Sequence, residues 1–305
     1  MIDLGFVSAI MADKSFEEVI DFASENKFKC VEIMCWPVGK AERRYAGVTH
    51  VNVNELDDQK INHIKNYLLT KNVYISGLGY YPNPLEDSKD SEKYIEHIKA
   101  VIKAAKKLSI PVVNTFIGRD HTKSLEENFK LFKDRWPGIV KVAEEEDIKI
   151  GIENCPMLFT KDEWPGGKNM AFSPAIWDRM FETIQSPQFG LNYDPSHLIW
   201  MHMDEIKPIF KYHDRFHHVH AKDVKVHKDK LDDVGILAHP LEYHSPKLPG
   251  LGDVRWSDFF SALTGVGYRG PVCIEVEDRA FEESEEDIRN SILLSRNYLS
   301  QFLVL

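Results

Sequence analysis

Short apolar runs rich in β-branched residues alternate with longer stretches bearing one apolar stripe, eight times from end to end of the chain. That rhythm is the pattern of strands each followed by a helix. Strands are expected at residues 4–10, 28–36, 73–78, 112–117, 148–153, 189–194, 216–221 and 272–276. Helices are expected at about 15–26, 55–71, 91–108, 125–146, 174–185, 204–212, 256–264 and 283–302. Local chemistry agrees: Ser15 is a suitable N-cap with Glu17 and Glu18 in the first turn. Tyr94, Ile95, Ile98, Val101, Ile102 and Ala105 fall on one helical stripe, and Pro137 is expected to kink the helix that contains it.

Eight strand–helix units in 305 residues fit a single α/β domain, a (β/α)8 TIM barrel spanning 1–305. The competing architecture is a doubly wound open sheet. Against it, the first strand leads into Ser8-Ala9-Ile10-Met11-Ala12, which lacks the glycine fingerprint of a dinucleotide site. Residues 222–255 carry prolines at 240, 246 and 249 and no periodic pattern, so this stretch is expected to be an active-site lid or a subunit contact. A net charge of −10 argues against nucleic acid or an anionic membrane as partner. No apolar run approaches the roughly 18 residues of a membrane span, and the N-terminus lacks the basic and apolar regions of a signal peptide. Cys30, Cys35, Cys155 and Cys273 form no C-x-x-C pair and lie within or beside strand-like runs. Reduced thiols in a cytoplasmic protein are the expectation.

The expected carboxyl ends of strands five to eight carry Glu153, Asp194, His220 and Glu275. Barrel active sites lie at those ends, and four consecutive strands place the four residues on one arc of the mouth. Singly, each could be a solvated strand end, and Asp194 before Pro195 could be a turn former. Together, three carboxylates and an imidazole repel one another unless a cation joins them. Oxygen-rich ligands with one nitrogen suit one divalent ion, with Mn²⁺ the first expectation and Mg²⁺, Co²⁺ or Zn²⁺ as alternatives.

The chain resembles the xylose isomerase-like barrels, which include ketose 3-epimerases, inosose isomerases and endonuclease IV. The resemblance is carried by Ile152-Glu153-Asn154, Asp194-Pro195-Ser196-His197, His218-Val219-His220-Ala221-Lys222-Asp223, Pro249-Gly250-Leu251-Gly252-Asp253 and Ile274-Glu275. It implies that Glu153, Asp194, His220 and Glu275 hold the metal and that Glu153 and Glu275 are the proton-transfer pair. It also implies that His197 contacts substrate oxygen or the metal's water. The activity implied is that of an isomerase or epimerase acting on a keto-sugar, by proton abstraction next to a metal-bound carbonyl through an enediolate. A leaving group β to the carbonyl would make the enzyme a lyase on a 3-keto-glycoside. A non-catalytic sugar-binding or scaffold subunit is the third alternative.

The sequence also departs from these relatives. Val226 stands where the ketose epimerases have an Arg, which leaves Lys222 and Lys225 as the nearest cations. Strand four ends in Gly118-Arg119-Asp120 and no D-x-H follows strand seven, so the additional ligands of endonuclease IV are missing. Residues 34–50 resemble a subgroup that works on oxidised sugars and glycosides, including the catalytic subunit of C-glycoside deglycosidases. Arg43, Arg44 and Tyr45 are placed to reach sugar hydroxyls, and Trp36 to stack on a sugar face or to join the core. The substrate-binding candidates are thus His197, Lys222, Trp36 and Arg43, facing a small sugar or glycoside. A homo-oligomer is expected, with a small second subunit as the alternative. His121 reads as a surface residue, His218 as a packing or supporting one, and Glu277 as a rival to Glu275.

Overall fold

The structure, a computed structural model, describes residues 1–39, 45–86, 88–158 and 163–303. Seven parallel strands follow one another around a barrel: β1 (Asp3–Val7), β2 (Cys30–Met34), β3 (Tyr74–Gly79), β4 (Val112–Thr115), β5 (Lys149–Glu153), β6 (Phe189–Tyr193) and β7 (Phe216–Ala221). The chain then makes a separate antiparallel hairpin, β8 (Asp223–Val226) and β9 (His244–Lys247), before β10 (Pro271–Ile274) closes the barrel between β7 and β1. A closed eight-stranded parallel barrel with helices between its strands is the (β/α)8 architecture expected from the alternation.

The helices form where capping chemistry and apolar stripes coincide. These are α1 (Phe16–Glu25), α2 (Asp58–Lys71), α3 (Ser91–Leu108), α4 (Leu125–Glu146) and α5 (Pro174–Thr183). Ser15 with Glu18 and Ser124 with Glu127 form complete capping boxes ahead of α1 and α4. Short α6 (Ser196–Trp200) and α7 (Lys207–Tyr212) follow β6, α8 (Lys228–Val234) lies inside the hairpin, and α9 (Trp256–Gly265) and α10 (Glu285–Leu299) flank β10. No described helix is long and apolar enough to cross a membrane.

Three expectations change. The strand read at 4–10 ends at Val7 because Ser8–Met11 winds into a 3-10 turn. His197, in the stretch between the expected strand to 194 and helix from 204, lies on α6, whose first turn is fixed by Asp194 Oδ1 accepting from Ser196 N at 2.8 Å. The stretch 222–255 is a structured excursion whose strands are four residues each, too short to show a period.

The interior of the barrel positions the site. Large apolar side chains such as Trp136, Phe189, Ile33 and Phe259 fill the space between barrel and helices. Inside, where such barrels normally stack aliphatic residues, Glu32, Ser76, Asn114, Asn192 and His218 are fully buried. Contacts between non-adjacent strands can only run through that interior. His218 Nε2 on β7 lies 3.0 Å from Ser76 Oγ on β3, across the barrel, and His218 Nδ1 lies 3.0 Å from Asn192 Oδ1 on the neighbouring β6.

Candidate metal centre

Glu153 is the last residue of β5, Asp194 and Glu275 directly follow β6 and β10, and His220 is the penultimate residue of β7. One ligand atom from each of the four lies within 4.8 Å of all the others. His220 Nδ1 is 3.5 Å from Glu275 Oε2 and 3.8 Å from Glu153 Oε1. Glu153, Asp194 and His220 are buried, and Glu275 is partly exposed toward the mouth. Among the described residues, buried His220 Nδ1 forms no hydrogen bond although it points into this cluster, and Asp194 Oδ2 meets there only the cationic groups of Lys222 and His197. Buried polar atoms are normally satisfied. An imidazole nitrogen without a hydrogen bond, beside three carboxylates whose neighbours here are cationic groups, is the donor set of a hard or intermediate divalent cation, so the residues fit the metal that such barrels imply.

Lys222, two residues beyond His220, enters the same cluster. Its Nζ is 2.7 Å from Glu275 Oε2, 3.0 Å from Asp194 Oδ2, 3.1 Å from Glu277 Oε2 and 3.9 Å from Glu153 Oε1, and the residue is 2% exposed. Burial would raise the Glu153 carboxyl, but the nearby His197 and His220 rings and the Lys222 ammonium outweigh it and hold the group low. Asp194 is depressed in the same way: burial opposes, and Lys222 and His197 prevail. The surrounding carboxylates overcome the burial of Lys222 and raise its ammonium well above the ordinary lysine value. Both carboxylates therefore stay ionised, ready to accept a proton or a cation.

Two small cavities meet at this cluster. One, about 90 Å³, is walled by Val7, Met34, Trp36, Tyr45, Tyr81 and Phe116, with Glu153, Lys222 and Glu275 on its polar side. The other, about 120 Å³, lies under the hairpin between Leu158, Trp200, Leu241, His244 and Pro246. Cys155, Met157, Lys222 and Glu277 form the wall shared by the two. His197 opens on the second cavity, and its Nε2 lies 3.2 Å from Asp194 Oδ2 and 3.5 Å from Glu153 Oε1.

A family model for xylose isomerase-like TIM barrels matches residues 20–298. The chain belongs to that family. A protein of Bacillus subtilis (strain 168) described as uncharacterized protein YfiH is 25% identical over 98% of this chain and 99% of its own length. An inosose dehydratase of Geobacillus thermodenitrificans is 29% identical over 103 residues, a third of this chain and 34% of the relative. Among solved structures, a D-tagatose 3-epimerase-like protein superposes with a TM-score of 0.68 at 20% identity, covering 99% of this chain and 98% of the other. That likeness establishes the shared fold.

The structure brings Glu153, Asp194, His197, His220, Lys222 and Glu275 together in one cluster. Glu277 lies beyond Lys222 and outside the four-residue group, which separates it from Glu275. Trp36 lines the first cavity edge-on to Tyr80, with ring centroids 5.0 Å apart. Arg43 and Arg44 lie outside the described residues. His121 is exposed and away from the cavities. The sequence reading passed over Glu32, Tyr81 and Asn192. Glu32 Oε2 is 2.7 Å from His220 Nε2, and the Tyr81 hydroxyl donates to Glu32 Oε1. Asn192 Nδ2 lies 3.2 Å from the Tyr81 hydroxyl. The available signal for Glu32 was a charge in the middle of an otherwise apolar strand, Cys30-Val31-Glu32-Ile33-Met34.

Proposed function

We propose that the protein is a divalent-metal-dependent enzyme that moves a proton at the carbon beside the carbonyl of a keto-sugar, as an isomerase or epimerase. The observation that carries this reading is the pair Glu153 and Glu275. They stand on separate strands, on either side of His220 Nδ1, and both face one cavity. A bound divalent ion would be held by Glu153, Asp194, His220 and Glu275 and would supply Lewis-acid stabilisation of an enolate oxygen. The remaining work falls to the chain's own groups. Two carboxyl groups on different sides of a sugar carbon can remove a proton from one face and return one to the other. Return to the same carbon gives epimerisation, and return to the neighbouring carbon gives isomerisation. His197 Nε2, buried beside Asp194 and Glu153, is placed to donate to a substrate oxygen. The walls of Trp36, Phe116 and Met157 keep water from the reacting carbon.

A second reading, a lyase on a substituted keto-sugar such as a 3-keto-glycoside, is favoured by the second cavity. An apolar cavity of roughly 150 Å³ accepts benzene, and the hairpin-side cavity of about 120 Å³ is of that order. A substituent lodged there would lie beside the same carboxylates, from which a carbanion could expel it. The names of the similar proteins, an inosose dehydratase and a D-tagatose 3-epimerase-like protein, span the two outcomes. Both readings share proton removal, so one experiment tests them. The metal-loaded protein is incubated in deuterated water with a panel of keto-sugars and 3-keto-glycosides. Deuterium at the carbon next to the carbonyl is expected in at least one. No exchange in any of them would overturn the enzymatic reading.

A further inference from the structure

Glu32 is 0% exposed in the middle of β2, where its neighbours Val31 and Ile33 pack outward into the main core. An ionised carboxylate placed there costs several kcal/mol of lost hydration unless partners satisfy it. Both oxygens have partners: Oε2 faces His220 Nε2 at 2.7 Å, and Oε1 accepts from the Tyr81 hydroxyl. The backbone is adjusted to make this possible. The pairing of β2 with β3 shifts register between Val31 and Glu32, and that of β6 with β7 shifts between Leu191 and Asn192. Such irregularities re-aim side chains beside active sites, and here both fall on residues that contact His220 or Tyr81.

Glu32, His218 and His220 are also close enough together to hold an ion themselves. The hydrogen bonds argue otherwise. His218 has both nitrogens engaged, by Asn192 and Ser76, and Glu32 has both oxygens engaged. The free donor atom is His220 Nδ1, on the far side of the ring and aimed at Glu153 and Glu275. His220 Nε2 is flanked by Glu32 Oε2 at 2.7 Å and Asn192 Nδ2 at 2.9 Å. The carboxylate is the nearer and can accept only from a protonated nitrogen, which places the imidazole proton on Nε2 and turns Nδ1 to the cation site.

We infer that Glu32 is a positioning residue for the metal centre: it fixes the tautomer and ring orientation of His220 so that Nδ1 is the ligand atom. Through its second oxygen it also holds Tyr81 against the first cavity. The inference rests on the metal reading given above. Carboxylate partners of ligating histidines orient the ring and raise its basicity, and losing one typically costs 10–100-fold in metal affinity.

The test is Co²⁺ affinity of the full chain, measured by chelator competition in wild type, Glu32→Gln and Tyr81→Phe. Glu32→Gln preserves size and removes the charge, and it is expected to bind Co²⁺ roughly 10–100-fold more weakly with an unchanged circular-dichroism spectrum. Tyr81→Phe leaves the His220 contact in place and should lose less. Equal affinity in wild type and Glu32→Gln would overturn the role of Glu32. A wild type that binds no divalent ion would overturn the metal reading instead. If Glu32→Gln does not fold, the wild type decides alone. In cadmium-loaded protein with isotope-labelled histidine, scalar coupling to the metal should fall on Nδ1 of His220. Coupling on Nε2 would refute the assignment.

Discussion

Trp200 Nε1 lies 3.4 Å from His197 Nδ1 and donates to it, while the same indole stacks on His244 with ring planes 3° apart. In a neutral imidazole this puts the proton on Nε2, the nitrogen that faces Asp194 and Glu153. The hairpin is thereby connected to the donor that we place against substrate.

Trp200→Phe keeps an aromatic ring for His244 and deletes the indole donor. One hydrogen bond of about 1 kcal/mol is at stake, so kcat/KM is expected to fall roughly fivefold to tenfold with the metal content unchanged. Steady-state kinetics on whichever keto-sugar shows exchange would check it. A loss of metal instead of rate would move Trp200 from orienting His197 to supporting the ligands.

Lys222 and a divalent ion act on the same carboxylates. Removing one partner of a buried charge cluster typically costs 3–5 kcal/mol, so Lys222→Met is expected to lower the melting temperature clearly in chelator. Saturating Co²⁺ should recover most of that loss, and the variant should bind the ion more tightly than wild type. Thermal melts in chelator and in metal separate the two effects. Identical melting of variant and wild type in chelator would show that the ammonium contributes little.

Asp223 ties the hairpin to the barrel. Its Oδ1 accepts from Val224 N at 2.8 Å and Val254 N at 3.0 Å, and its Oδ2 from Gly250 N at 2.9 Å and Trp256 Nε1 at 2.8 Å. Gly250 adopts φ +92°, and a Cβ on Gly252 would come within 2.2 Å of Asp223 Oδ1. That explains why Pro249-Gly250-Leu251-Gly252-Asp253 accompanies the His-x-His-x-Lys-Asp run. Asp223→Ala strands buried donors and should cost on the order of 3 kcal/mol. Gly252→Ala should cost about 1–3 kcal/mol by overpacking. Denaturant unfolding of both variants measures these values, and a Gly252→Ala as stable as wild type would contradict the close approach.

Acid should weaken the fold through His217. Burial, with Lys149 and Arg215 nearby, pushes its pKa down to about 3 from the ordinary 6.5. The unfolded chain therefore binds a proton below pH 6.5 that the folded chain refuses until about pH 3. Stability contributed by the neutral imidazole is present above 6.5 and is lost progressively as pH falls through that window. The slope is at most about 1.4 kcal/mol per pH unit. His217→Gln should flatten the stability profile between these limits, read by unfolding in denaturant at a series of pH values. A profile parallel to wild type would assign the acid sensitivity elsewhere.

The barrel was legible because its strands and helices differ in period, and because Glu153, Asp194 and Glu275 close apolar runs while His220 stands near the end of the next strand-like run. A polar residue at such an end is visible without knowing which neighbours it meets. Glu32 was not visible in this way. It sits mid-strand with buried residues on both sides, and its meaning depends on His220, which is 188 positions away. Lys222 was read as a substrate contact, and spacing alone does not also say that its ammonium reaches Asp194 and Glu275. The hairpin escaped notice because four-residue strands carry too few alternations to register. For α6, a five-residue helix beginning at Ser196 just after Pro195 leaves no stripe to read.

The hairpin leaves the barrel at Asp223 and returns by Val254, and one carboxylate grips both ends. The 30 or so residues between them hold together through their own ladder and helix α8, and loops mounted on rigid scaffolds of this kind are where proteins vary most freely. Length and sequence can drift in the excursion while the arc of Glu153, Asp194, His220 and Glu275 is left alone. A barrel wired this way can exchange the excursion like a cassette, and grafting a relative's excursion between Asp223 and Gly250 is the natural test of whether it sets what the barrel accepts.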